Sequence, residues 1–410
     1  MKIKVKETFF VLVLIAVVFC NTVYSNASEN MLEYRTIDDI VECYQRNPFR
    51  INVSVSDPYE IEPNAEPPYV AGSLKREYLE EALNCVNFLR YLVGLPDDIE
   101  LNDTYNNYAQ HATIVFERLK QLTHYPKKPD DMPDDFYSLA YNGASNSNIA
   151  YGYASLMNSI MGYMKDEDDS NISIVGHRRW LLNPSMTKIG FGQCGIFYSA
   201  YVADMSRSPS IKFDFISWPA RNNMPREYFY NSNIPWSVNL GSNYANPSLD
   251  DVEVTLTRRS DNKVWIFNKN NIEEYGYFNV NNDGYGMKKC IIFRPNGVGS
   301  YYKNDVFDVN IKGIRHYTDG PTEINYTVEF FSLTDAIDER EKNFKYGDVN
   351  GDGDIDSLDL TILKRYLLRK MDISDDRPAD LDGDGDINST DLTLLKRYIL
   401  RKIDRFPVET

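Results

Sequence analysis

The spacing of apolar side chains predicts helices in the first half of the chain. A first helix is expected within residues 74–96, and its glycine and proline at the end stop the pattern. The positions at near-helical spacing are Leu79, Leu83, Val86, Leu89, Arg90 and Val93. A second helix, capped by Asn102 or Asp103, is predicted in "YNNYAQHATIVFERLKQL", and a third in "YGYASLMNSIMGYMKD". The segment "VGHRRWLLNPSMTKIGFG" then predicts a short helix, a proline stop and a glycine-spaced strand.

Between about residue 205 and residue 333, apolar and polar side chains alternate along the chain. Segments such as "DVEVTLTRR", "KVWIFN", "CIIFRP" and "INYTVEFFSL" are separated by turn pairs such as Asp283-Gly284. The pattern predicts an antiparallel β-sandwich of about seven strands. Exposed aromatic side chains there are candidates for binding sugar rings, although aromatic residues in strands more often pack in the core. These candidates are Tyr228, Tyr230, Tyr275, Tyr277, Tyr301 and Tyr302.

Near its end the chain carries two near-copies of one pattern. They are "DVNGDGDIDSLDLTILKRYLLRK" from Asp348 and "DLDGDGDINSTDLTLLKRYILRK" from Asp380. In each copy an acidic stretch precedes a helix with one apolar stripe and basic residues elsewhere. The stripes are Leu360, Leu363 and Leu367 in the first copy, and Leu392, Leu395 and Ile399 in the second. The charged residues 336–345 are predicted to link this tail to the strand-rich region.

The amino terminus has the pattern of a secretory signal. Three lysines precede the apolar run Phe9–Cys20, and small residues up to Ala27 offer a cleavage site. The run is too short to span a bilayer comfortably, so a signal at 1–27 and a secreted protein are expected. Residues 28–72 are acidic and proline-punctuated, which predicts an extended leader or a packing arm.

Composition narrows the classes of function. A chain of 410 residues with 42% hydrophobic content is expected to form more than one packed domain. A net charge of −16 argues against nucleic acid or an anionic membrane as a partner. Four widely spaced cysteines follow the signal and form no metal motif, and the sequence is compatible with either thiols or disulfides. They are Cys43, Cys85, Cys194 and Cys290.

The acidic stretches have the ligand spacing of a calcium loop. Counted from the first aspartate of each copy, oxygen side chains stand at positions 1, 3, 5, 9 and 12, with glycine at the sharp turn of position 6. Position 7 offers its backbone carbonyl. The predicted ligand positions are Asp348, Asn350, Asp352, Asp354, Asp356 and Asp359, and Asp380, Asp382, Asp384, Asp386, Asn388 and Asp391. Hard oxygen ligands suit a large hard cation, so two calcium ions are expected.

The repeated loop–helix unit, residues 346–405, resembles a type I dockerin. The resemblance implies attachment to a cohesin domain of a scaffold protein, and therefore an extracellular component of a cellulosome. In that family the cohesin contacts come from hydroxyl residues at loop positions 10 and 11 and from a basic pair on the helix. The matching residues are Ser357, Leu358, Lys364 and Arg365, and Ser389, Thr390, Lys396 and Arg397. Leu358 departs from the hydroxyl pattern, which makes the second copy the better candidate docking face.

Residues 74–205 resemble the CAP superfamily of cysteine-rich secretory proteins, antigen five and pathogenesis-related proteins. The matching pieces, in the order of the family, are "NFLRYLVGLP", "YAQHA", "LTHYP", "SNIAYG" and "VGHRRWLLNPSMTKIGFG". The resemblance implies a helix–sheet–helix sandwich whose cleft gathers two histidines and two acidic residues. His124 and His177 match the histidines.

The acidic positions of this cleft depart from the family pattern. Ser147 stands where the first glutamate is expected, and the second acid would come from Asp166, Glu167 or Asp168. A metal site or a general base needs a carboxylate near the imidazoles. We therefore expect a polar cleft that binds zinc weakly at most, and assign no catalytic residue beyond the two candidate histidines.

Together these patterns predict an α+β multidomain protein. A CAP-type α/β/α sandwich (73–205), an antiparallel β-sandwich (206–335) and a linker (336–345) lead to a small all-α calcium-binding dockerin of two loop–helix units (346–405). The first hypothesis of function is a scaffold-docked protein whose CAP-like domain has a binding or auxiliary role. Plant cell-wall polysaccharide is a candidate partner of the protein. The second is a polysaccharide-degrading glycoside hydrolase, an enzyme acting on O-glycosyl compounds, which rests on association alone. The third is a peptidase or protease-modulating protein.

Overall fold

The structure is a computed structural model that describes residue 32 and residues 34–318, 320–373 and 375–409. The predicted secretory signal at 1–27 lies outside these residues. Within the described residues, no helix has the length and apolar character needed to cross a membrane.

The acidic segment before residue 73 is a packing arm that contains a helix. Helix α1 (Ile37–Arg46) begins at Thr36, whose side chain and that of Asp39 form a reciprocal capping box. Ile40 is fully buried in the main core of the protein. Two short paired strands follow, β1 (Tyr59–Ile61) and β2 (Ser73–Leu74).

Residues 76–201 form a four-stranded sheet covered by helices. The elements are α2 (Arg76–Leu92), β3 (Glu100–Leu101), α3 (Asp103–Leu119), α4 (Asp134–Ser145), β4 (Ser147–Tyr151), α5 (Leu156–Lys165), α6 (Gly176–Leu181), β5 (Lys188–Cys194) and β6 (Phe197–Tyr201). The strand order is β3-β5-β6-β4, in which β3 pairs parallel with β5 and the other pairs are antiparallel. Asn102, one of the two predicted caps, accepts the N–H of Tyr105 at the start of α3. Helix α4 was not predicted from the sequence.

The glycine spacing of β5 brings α3 directly onto the sheet. A Cβ atom at Gly190 or Gly192 would lie 2.2 or 2.4 Å from backbone atoms of α3, so neither position has room for a side chain. The alternate residues Ile189 and Phe191 are buried in the main core on the other side of the sheet. The "IGFG" pattern therefore encodes a strand with a helix on each face.

Residues 215–331 form two further sheets that pack face to face. Their elements are β7 (Phe215–Trp218), β8 (Asn222–Pro225), β9 (Trp236–Leu240), β10 (Glu253–Arg258), β11 (Lys263–Phe267), α7 (Ile272–Tyr275), β12 (Gly276–Asn281), β13 (Cys290–Pro295), β14 (Val306–Lys312) and β15 (Ile324–Phe331). The sheet orders are β11-β10-β14-β15-β8 and β12-β13-β9-β7. Aromatic rings join the two sheets, with Trp236 and Phe307 centroids 5.7 Å apart. The pairing is antiparallel as expected, except that β8 lies parallel to β15.

A single buried core joins these two parts of the chain. One cluster of apolar side chains extends from α1 and α2 through β5 to both sheets of the β-sandwich. The change at residue 205 therefore separates two kinds of secondary structure, but the apolar core runs across it. We call residues 34–331 the body.

The charged residues before the tail form a helix. Helix α8 (Leu333–Asn343) contains most of the expected linker 336–345, because Ser332 caps its first turn and Ala336 packs against the core of the body. Two helices follow in the tail, α9 (Ser357–Leu367) and α10 (Ser389–Ile399). The central stripe residues Leu363 and Leu395 are fully buried in a second, separate cluster.

Candidate calcium loops and histidine cleft

The two acidic loops of the tail fold into the same turn. The N–H of Gly353 donates to Asp348 Oδ2 at 2.8 Å, and the N–H of Gly385 donates to Asp380 Oδ2 at 3.1 Å. Both glycines have positive φ angles, 92° and 87°, a conformation in which a side chain is strained. The first aspartate of each loop is therefore oriented by the glycine at position 6.

The aspartate at position 12 ties each loop to its helix. Asp359 accepts the N–H groups of Asp356 at 2.8 Å and Asn350 at 3.1 Å, and it is fully buried. Asp391 plays the same part in the second loop, with the N–H groups of Asn388 at 2.8 Å and Leu381 at 2.7 Å. These bonds close the loop and cap the helix at once, so a cation bound by the loop also stabilises the helix start.

The oxygen groups of the loops fit a calcium ion. Asp380, Asp382 and Asp384 each place a carboxylate oxygen within 4.8 Å of the others. Partial burial, and after it the neighbouring carboxylates, raise the pKa of Asp382. In the first loop Asp348 Oδ1 is buried without a hydrogen-bond partner among the described residues. The other predicted ligand positions lie on the same two loops: Asn350, Asp352, Asp354, Asp356, Asp386 and Asn388.

The residues matched to cohesin contacts all lie on the surface of the tail. Ser357 and Leu358 begin α9, and Ser389 and Thr390 begin α10. Leu358 is 51% exposed although it is apolar. The basic pairs are exposed on the same helices: Lys364 and Arg365, and Lys396 and Arg397.

In the body, His177 is held by a buried acid. Asp166 follows the last turn of α5, and its Oδ1 atom accepts the Nδ1–H of His177 at 2.7 Å. Its Oδ2 atom accepts the backbone N–H of Arg178 at 3.0 Å. The Asp166 side chain is 1% exposed and that of His177 is 19% exposed. Of the three acids offered by the sequence, Asp166 is the one that bonds to the histidine.

His124 approaches the same cleft from the chain between α3 and α4. Its Nδ1–H donates to the carbonyl of Ala144 at 2.9 Å. Both imidazoles thus turn Nδ1 toward the protein, which leaves Nε2 as the atom that a ligand would meet. The two rings are close enough for the charge of His177 to act on His124.

The surroundings move the two pKa values in opposite directions. Burial opposes a charge on His177, but the Asp166 carboxylate outweighs it and raises the pKa of His177. Burial lowers the pKa of His124, and a proton on His177 lowers it further. Between the two pKa values the cleft therefore presents a protonated His177 beside a neutral His124, a donor beside an acceptor.

The position expected to hold the first acid supplies no charge. Ser147 is 5% exposed, and its hydroxyl has no partner among the described residues. Its neighbour Asn148 donates to the carbonyl of His177 at 2.9 Å, so this strand supports the cleft. In the described chain, the cluster with three metal-ligating side chains is the one in the second calcium loop. Weak zinc binding by the histidines stays a prediction.

The tyrosines proposed for sugar binding divide between core and surface. Tyr228 and Tyr301 are buried, and Tyr301 Oη accepts the Nε1–H of Trp236 at 2.8 Å. Tyr230 and Tyr302 are exposed on the β-sandwich, while Tyr275 and Tyr277 are half-buried. The four cysteines after the signal are buried free thiols.

Sequence reasoning missed an apolar cavity at the end of α3, where Leu122, two residues before His124, forms part of the lining. It has a volume of 670 Å³ and is lined by Leu122, Tyr151, Ile196 and Phe197 together with residues at the end of α3. Tyr151 is 62% exposed and Ile196 is 54% exposed. The cavity forms where β4 and the β5–β6 turn meet the end of α3, three segments that are distant in the sequence, so no local pattern could have indicated it.

Two family models match the chain. The model of the dockerin type I domain matches residues 346–400, and that of the cysteine-rich secretory protein family, CAP, matches residues 83–195. The chain contains a type I dockerin and a CAP domain. Both predicted resemblances are confirmed, and His124 and His177 lie within the CAP match. The β-sandwich lies outside both matched ranges.

Solved structures resemble the dockerin part of the chain. One is the third cohesin ScaC in complex with a mutated ScaB dockerin from Acetivibrio cellulolyticus, at 40% identity, covering 16% of this chain and 96% of that chain with a TM-score of 0.16. Another is the Coh-OlpC-Doc435 complex from Clostridium thermocellum, at 43% identity, covering 16% and 97% with a TM-score of 0.15. A comparison with curated proteins gave no match.

Replacing Asp166 by Asn should lower the pKa of His177 in the CAP domain. The Asp166 carboxylate is the main group that raises this pKa, and without it burial of the imidazole is opposed only by the weaker effect of Asp168. In the native protein the pair stabilises the fold fully below the ordinary histidine pKa of about 6.5, and this contribution is lost as the pH rises through the raised value. NMR titration of the histidines measures the change. The control is Asp168→Asn, which removes a nearby charge and should have a smaller effect; equal effects would contradict the assignment.

Removing calcium should unfold the dockerin and leave the body folded. Each loop holds several carboxylates whose repulsion opposes the turn until a cation binds. We expect chelator to reduce the helical signal of the full chain and to open the basic pairs of α9 and α10 to trypsin. Calcium should reverse both effects, and magnesium should not, because it demands a tighter octahedral site. A dockerin that stays helical and resists trypsin in chelator would contradict this prediction.

Proposed function

We propose that this protein is a secreted cellulosome component that the dockerin attaches to a cohesin, while the CAP domain binds a ligand in the cleft of His124 and His177. The observation that carries the first part is the pair of loops, whose turns, buried acids and carboxylate cluster fit calcium. The dockerin match supports a cohesin as the partner. Secretion follows from that partner, because cohesins belong to extracellular scaffolds.

The second dockerin copy is the better docking face. Ser389 and Thr390 present hydroxyl groups that hydrogen-bond across an interface, whereas Leu358 offers only an apolar side chain at the matching position. The basic pair of the helix stands beside these residues in both copies. The two faces are alike in shape and charge, and we infer that the hydroxyl at position 11 decides between them.

A binding role suits the CAP cleft better than hydrolysis of sugars. Glycosidases need two carboxyl groups that flank the scissile bond. Asp166 is buried behind His177, and Ser147 replaces the other acid. The cleft instead offers the two Nε2 atoms of His124 and His177, and the same part of the chain has an apolar cavity of 670 Å³ lined in part by Leu122. A volume of this size is in the range of ligand pockets, and polar groups at its edge can orient a ligand.

Substitutions at the two docking faces should have unequal effects on cohesin binding. Changing Ser389 and Thr390 together to Asp is expected to weaken binding by about tenfold or more, the scale of losing central interface contacts. Changing Ser357 and Leu358 to Asp should cost less. Calorimetric titration of the full chain with a type I cohesin in calcium measures both. Equal losses, or no loss in either variant, would contradict the assignment.

Binding of plant polysaccharides should depend on the cleft histidines. His124→Ala or His177→Ala in the calcium-loaded chain is expected to weaken the binding of a neutral soluble xylan or glucan by about tenfold, since each removes a hydrogen-bonding group. His316→Ala is the matched control, because His316 packs on Tyr244 in the β-sandwich. Affinity electrophoresis in gels with and without polysaccharide gives the measurement. If polysaccharide retards all three variants as much as the native chain, the sugar site lies elsewhere. If it does not retard the native chain, the protein does not bind these sugars.

A further inference from the structure

The chain between Asp166 and His177 is bonded to the β-sandwich. Asn279 on β12 donates its side-chain N–H to the carbonyl of Ser173 at 2.7 Å. Arg294 on β13 donates to the carbonyl of Glu167 at 3.4 Å. The segment that carries the cleft acid and leads to the cleft histidine therefore lies against a sheet outside the CAP match.

Arg178 joins three elements beneath this segment. Its guanidinium donates to the carbonyls of Met164 at 2.7 Å and Lys165 at 2.8 Å, at the end of α5. It also donates to the carbonyl of Pro235 at 2.8 Å and to Ser237 Oγ at 2.9 Å, beside and within β9. The residue is 1% exposed, and all four acceptors are neutral oxygens. A buried cation needs well-placed acceptors, so this geometry tolerates little movement of β9 relative to α5.

The backbone of the same residue reaches the cleft. The N–H of Arg178 donates to Asp166 Oδ2 at 3.0 Å, and Asp166 Oδ1 accepts from His177 at 2.7 Å. One residue thus bonds to the β-sandwich through its side chain and fixes the carboxylate through its main chain. Around His177 the other groups are Asp168, His124 and the ring of Tyr163.

We propose that Arg178 is a positioning residue through which strand β9 of the β-sandwich orients the Asp166–His177 pair, so that the CAP cleft is built by both parts of the body. This role of Arg178 matters for function only if the cleft binds a ligand, as proposed above. The bonding itself is a property of the free protein. A test without ligand therefore separates the failure of this inference from the failure of the binding role.

The test is the NMR signal of the His177 Nδ1–H in the calcium-loaded full chain with labelled histidines. A proton bonded to a buried carboxylate resonates at low field and exchanges slowly with water, and Asp166→Asn, which removes the charged acceptor, identifies the signal. Ser237→Ala removes one acceptor of Arg178, and we expect the exchange of the His177 proton to speed up about fivefold, the scale of one hydrogen bond. Ser237→Thr keeps a hydroxyl and should restore slow exchange.

Asn281→Ala is the matched control. Asn281 also lies on the β-sandwich and accepts a hydrogen bond from a buried arginine of α6, but that arginine is Arg179. Asn281→Ala should leave the exchange of the His177 proton unchanged. A loss of packing alone would instead speed this exchange in both Ser237→Ala and Asn281→Ala. Arg178→Lys, if folded, should speed it more than Ser237→Ala does. Unchanged exchange in Ser237→Ala, or equal changes in Ser237→Ala and Asn281→Ala, would overturn the proposal.

Discussion

Buried arginines hold the short helix α6, and the body depends on that anchorage. Arg90 on α2 donates to the carbonyls of Leu181 and Asn183, at the end of α6, where the helix dipole favours a cation. The side chains of Arg178 and Arg179 extend from the helix in the other direction and donate hydrogen bonds to the β-sandwich. A buried guanidinium is costly unless its N–H groups meet acceptors, and Nε and Nη2 of Arg90 are already buried without a partner among the described residues, so moving the remaining partners would raise that cost. This constraint places the helix that carries the cleft histidine between two sheets.

The dockerin obeys a different constraint, since its own apolar core is small. Its buried cluster centres on residues such as Leu363, Leu381 and Leu395, with Phe406 closing the end. A core of this size supplies little net stability, and small domains commonly depend on a bound metal. We therefore expect the calcium loops to be part of the fold of the dockerin. The body has a continuous core of its own, so we expect it to stay folded without the ion.

Local patterns were enough to predict much of this architecture. The "IGFG" strand, the Asn102 cap and the calcium loops depend on residues close in sequence, and each was visible in the chain. Helix α8 was missed because six of its eleven residues are charged, and its stability comes from the Ser332 cap and from packing on the body. Which of three adjacent acids bonds to His177 could not be predicted, because it depends on the path of the chain after α5. The arginine contacts link residues 57 to 102 positions apart, and the shared core also joins distant segments, beyond the reach of any local pattern.

The two loop–helix units within the dockerin have different surroundings, although their sequences are nearly identical. Lys345 and Arg377 each stand three residues before the first aspartate of a loop. Lys345 donates to the carbonyl of Gly353 in its own loop, whereas Arg377 bonds to Asp375 and to Glu341 of α8. Arg340 of α8 adds an ion pair with Asp375 at 2.9 Å, both side chains less than 20% exposed. Because α8 also packs on the body, contacts at the entry to the second loop give the dockerin a preferred orientation. The internal symmetry of the repeat is therefore broken by the body as well as by Leu358.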